Sequence, residues 1–89
     1  MSARDIAAAH VNQCMEAVQT HVDATAAWAV TALAHYEAGD NAAAERAVEC
    51  MLDSDAAARR SLRLARRTAD REHLPPPTMP SPTTKAATR

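Results

Sequence analysis

The chain has 89 residues with one glycine, no phenylalanine, two cysteines and a formal net charge of −1. That length allows one small domain, two cysteines exclude a disulfide framework, and a single glycine excludes a glycine-rich phosphate loop. Much of the 47% hydrophobic content is alanine, and β-branched residues never cluster, so the composition points to an all-α chain with a thin core.

Ser2-Ala3-Arg4-Asp5 has the form of a capping box that opens a helix. Val11, Met15, Val18, Val22, Ala29, Ala32, Leu33 and Tyr36 then recur at steps of three and four, placing one apolar stripe on a single long helix. Thr25 is the one polar residue within it. Glu37-Ala38-Gly39-Asp40-Asn41 reads as the stop. Gly39 suits the left-handed residue that follows a helix, and Asp40 or Asn41 can cap the next one.

A second helical pattern runs through Ala44, Ala47, Val48, Met51, Ala58, Leu62, Ala65 and Ala69. Ser54 and Asp55 interrupt it, which allows a kink or break at residues 53–56. Pro75-Pro76-Pro77, Pro80 and Pro82 then forbid helix. The expected organisation is an antiparallel helical hairpin over residues 1–74 and a disordered proline-rich tail over 75–89. Folding at Gly39 sets Val11 against Ala69, Met15 against Ala65, Val18 against Leu62 and Val22 against Ala58. Cys14 then lies opposite Ala65 and Cys50 opposite Ala29, too far apart for a disulfide.

The near-neutral total hides a segregation of charge. Residues 1–58 carry two arginines against nine acidic groups, a net of 2 − 9 = −7. Residues 59–74 carry Arg59, Arg60, Arg63, Arg66, Arg67 and Arg71 against Asp70 and Glu72, a net of 6 − 2 = +4. Such a basic helix either contacts nucleic acid phosphates or an acidic protein surface, or is a solvated face. It lacks interleaved aromatic residues and helix-turn-helix spacing, so base-specific readout is not expected.

His10 and Cys14 are one helical turn apart and are the residues most suited to a metal or a nucleophile pair. Cys14, His21, Trp28 and His35 follow at intervals of seven, about 10 Å along a helix, which is too far for one ion. Nothing orients a base or supplies an oxyanion site, so neither an enzyme nor a cofactor is expected. The structural alternative is that small, semi-polar residues border a helix interface. Ile6, His21, Trp28 and His35 flank the apolar stripe, where a two-helix hairpin leaves surface uncovered, and tryptophan is a favoured interface anchor. They are the expected protein interface.

Residues 22–58 resemble a tetratricopeptide repeat: Trp28, Ala32, His35, Gly39-Asp40-Asn41, Ala44 and Val48 match its spacing, and Leu52-Asp53-Ser54-Asp55-Ala56 is similar to its exit. Met51 replaces a small residue, the exit proline is missing, and one unit is visible where such repeats stack in series. The resemblance implies peptide or protein binding, with helix breaks near residues 23–25 and 54–56.

The sequence thus leads to a small, non-catalytic interaction or adaptor module, expected to dimerise into a four-helix bundle or to dock on another protein. A nucleic-acid-binding accessory factor is the alternative. No membrane association is expected, and the lack of a signal-peptide pattern makes the cytoplasm the expected location.

Overall fold

The computed structural model describes residues 1–80 and contains two helices, α1 (Ala3–Glu37) and α2 (Asn41–Arg71), packed as an antiparallel hairpin. Each boundary has a local chemical cause. The Ser2 hydroxyl accepts from the Asp5 amide at 3.1 Å, and the Asp5 carboxylate accepts from the Ser2 amide at 3.3 Å. This reciprocal pair satisfies two amides that an α-helix leaves without partners at its start.

At the turn, Gly39 adopts φ +81. The Asp40 amide donates to the His35 carbonyl at 2.9 Å and the Gly39 amide to the Tyr36 carbonyl at 3.0 Å. These two bonds define a Schellman motif, whose left-handed residue suits glycine. Of the two residues able to cap α2, Asp40 does so, its carboxylate accepting from the Ala43 amide at 3.1 Å.

Helix α2 ends in the same motif without a glycine. His73 takes φ 53, and Leu74 donates its amide to the Ala69 carbonyl at 2.8 Å. A left-handed non-glycine residue costs about 1 kcal/mol. Here the turn returns Leu74 onto the core, where it packs against the cluster formed by Val11, Cys14, Met15, Val18, Ala65 and Ala69. Pro75, Pro76, Pro77 and Thr78 follow with no helix or strand and share a small cleft with Ala8, Val11, Asn12 and Met15. The expected tail begins here; from residue 81 onward it lies outside the described residues.

Helix α2 runs unbroken through residues 53–56, and α1 runs unbroken through residues 23–25. The breaks that a tetratricopeptide unit would place there are therefore absent. No proline or glycine interrupts either stretch. Asp55 pairs with Arg59 one turn later, Nε to Oδ2 at 3.1 Å, rather than capping a new helix. Thr25 is half-buried, and its hydroxyl donates to the His21 carbonyl at 2.8 Å, so it enters the interface without an unsatisfied group.

The core matches the expected pairing at the end of the hairpin away from the turn, where valine and methionine face alanine. Ala65 is 0% exposed and Met15 5%. Toward the turn the expected stripe leaves the core. Ala32 remains buried, but Ala29 is exposed, Val22 is 42% exposed, Leu33 57% and Tyr36 67%. The positions that stay covered on α1 keep a seven-residue spacing. Ala7, Cys14, His21, Trp28 and His35 form one series, and Val11, Val18, Thr25 and Ala32 the other, every member buried or half-buried except Trp28, which is 38% exposed. An ideal helix drifts about 20° per seven residues against such a seam. Between Val11 and Leu33 or Tyr36, three to four such intervals, the drift reaches about 60–80°, which turns both side chains outward.

Candidate interaction surface

That drift opens a groove between the helices near the turn. Its volume is about 820 Å³; Ala29, Ala32 and Ala44 line it together with Leu33, Tyr36, Val48 and Met51. Asn41, Glu45 and Glu49 contribute polar and acidic groups. Small residues from both helices give the groove depth, while large apolar residues stand beside them half-buried or exposed. Apolar side chains presented this way, bordered by charge, form the kind of surface that partner proteins cover.

The residues expected to form the interface are divided by the structure. His21 and His35 are half-buried in the seven-residue series of the hairpin. Trp28 lies at the edge of that series, 38% exposed, and Ile6 is 56% exposed near the start of α1. The groove does not include these four; its apolar lining residues belong to the two stripes that periodicity places in the internal core. The signal for it in the sequence is the seven-residue spacing of Cys14, His21, Trp28 and His35.

His10 and Cys14 do come together, with Nε2 3.7 Å from Sγ. Cys14 is buried in the core cluster and His10 is exposed. A thiol in that position packs as a small apolar side chain. Among the described residues there is no group of three histidine, cysteine or acidic side chains placed to hold an ion. Cys14 and Cys50 both carry free thiols.

The six arginines of the C-terminal half of α2, Arg59, Arg60, Arg63, Arg66, Arg67 and Arg71, are all exposed. The Arg59–Asp55 contact is the one ion pair among the described residues, leaving the other five of this cluster without a carboxylate partner there. Toward the N-terminus of the same helix, Glu45, Glu49 and Asp53 are also exposed. The outer side of α2 therefore changes from acidic to basic along its length. Neither described helix is long and apolar enough to cross a membrane.

The geometry defines an antiparallel helical hairpin with an uncovered apolar groove at its turn end. No protein-family model, curated protein or solved structure matches the chain.

Proposed function

We propose that this chain is a small, non-catalytic protein–protein interaction module that acts as a homodimer, with the groove near the turn covered in the assembled state. The observation that carries this reading is the outward placement of Leu33, Tyr36 and Val48 around an alanine-lined depression. A hairpin whose buried core contains no side chain larger than methionine gains stability when a second copy covers such a surface. The protein binding implied by the tetratricopeptide resemblance is a form of the same reading.

Light scattering coupled to gel filtration tests it. Wild type should elute with the mass of two chains, and Leu33→Asp should shift it to one chain without loss of helical circular dichroism. Leu33 is exposed within the hairpin, so the substitution leaves the internal core alone. A wild type that stays monomeric at the highest soluble concentration removes the dimer.

A second reading, a nucleic-acid-binding accessory factor, draws support from Arg60, Arg63, Arg66, Arg67 and Arg71 on one side of α2, which have no ion-pair partner among the described residues. It predicts a gel shift with duplex DNA that weakens steeply with salt and does not depend on sequence. No shift at low salt would eliminate it.

A further inference from the structure

The exposed positions Glu45, Glu49, Leu52, Ala56, Arg59, Arg63 and Arg66 follow one another along α2 at steps of four, three, four, three, four and three. That spacing is the seam of a coiled coil, here on the outer side of the helix and facing away from α1. From Glu45 to Arg66 the acidic members precede Ala56 and the basic members follow it, and the next position in the series, Asp70, is acidic. About Ala56 the members are nearly symmetric in position: Glu45 and Arg66, Glu49 and Arg63, and Leu52 and Arg59 are equidistant from the centre to within one residue.

We infer that α2 pairs antiparallel with α2 of a second copy of this chain, about a twofold axis near Ala56. This rests on the self-association proposed above and names its surface and orientation. In this arrangement Glu45 meets Arg66 of the other copy and Glu49 meets Arg63, each contact occurring twice by symmetry. Leu52 lies over the aliphatic stem of Arg59, and the small Ala56 side chains at the axis let the helices approach closely. Asp53, just beside the seam, faces Arg60. A parallel pair would set like charges against each other at each of these places.

The groove adjoins this seam. Val48 borders both, and Glu45 and Glu49 belong to the seam and to the groove lining. A second α2 lying along the seam therefore passes beside the α2 wall of the apolar depression. The helix dipole also favours acidic residues at the start of a helix and basic ones at its end, but it acts within the first and last turns. Glu49, Asp53, Arg59, Arg60 and Arg63 lie inside those limits, and their ordering needs another cause. The near-symmetric placement of opposite charges about Ala56 makes the second copy the complementary occupant.

Charge reversal provides the test, with mass measured across a concentration series at low and high ionic strength. Wild type should associate more weakly as salt rises. Glu49→Arg and Arg63→Glu should each weaken self-association by about tenfold, since each sets two like-charged contacts in place of two favourable ones. The double variant should regain wild-type mass, and the two single variants mixed in equal amounts should form a heterodimer. Helical circular dichroism should be unchanged throughout, because both residues are exposed.

A dimer indifferent to all of these changes overturns the α2 pairing while leaving self-association through the groove intact. A wild type that is monomeric under every condition overturns self-association itself. If Arg63→Glu abolishes binding to duplex DNA but leaves the mass unchanged, the basic half of α2 serves a polyanion and the pairing is again overturned.

Discussion

Substituting Ala65 with leucine should lower the thermal unfolding midpoint by about 10 °C or more, as followed by circular dichroism at the helical minimum. Ala65 is 0% exposed and belongs to a cluster with Val11, Cys14, Met15 and Val18. Its side chain is one methyl group, and the valine and methionine side chains of α1 occupy the space beyond it. Three further carbon atoms have room only if the helix axes separate, and overpacking of this kind usually costs about 1–3 kcal/mol. Separation would also strip contacts from Ala69, one turn further on and 1% exposed. In a domain whose single core supplies about 3–5 kcal/mol, that is a large part of the total. The same change at Ala9, which is exposed on α1, should leave the midpoint nearly unchanged. Equal midpoints for the two variants would show that the helices are not closely apposed at Ala65.

The parts of this fold legible in the sequence are those fixed by local chemistry. Ser2 with Asp5, and Gly39 with Asp40, lie within a few residues of the amides and carbonyls they satisfy, so their effect needs no knowledge of the rest of the chain. The position of the turn then sets the register of the hairpin. The pairing of Val11, Met15 and Val18 with Ala69, Ala65 and Leu62 follows from it. The return of Leu74 onto the core was hidden, because His73 supplies a left-handed turn that glycine normally announces. The continuity of α2 was also hidden. Ser54 and Asp55 are competent caps, and whether a capping residue ends a helix depends on packing around it.

The candidate surface was legible in its charge and illegible in its apolar part. Arginines spaced along an alanine-rich helix point outward for reasons of solvation alone, as all six do. Leu33 and Tyr36 are different. Measured with a straight-helix period they share the face of Val11 and Met15, and over one or two turns that period serves well. Over 35 residues of α1 the buried line follows the neighbouring helix instead, and a small difference in period accumulates. The error grows with distance from the end where the pairing starts, so the prediction holds at Met15 and fails at Leu33.

Paired truncations on α1 make that failure measurable. Met15→Ala should destabilise the hairpin by about 2–5 kcal/mol, the usual range for removing a large buried side chain and leaving a cavity. Met15 is 5% exposed within the core cluster, and Ala65 and Ala69 are too small to fill the space it leaves. Leu33→Ala removes a side chain of similar size from a position that periodicity alone assigns to the same stripe. Leu33 is 57% exposed, so the stability of a single hairpin should change by about 0.5 kcal/mol or less. Chemical denaturation separates the two effects when repeated over a range of protein concentrations. The loss caused by Met15→Ala should be present at every concentration, since it lies within one chain. The loss caused by Leu33→Ala should grow with concentration, since it removes stability that the wild type gains by associating. A concentration-independent loss at Leu33 as large as that at Met15 would place Leu33 in the hairpin's own core and remove the basis for the groove.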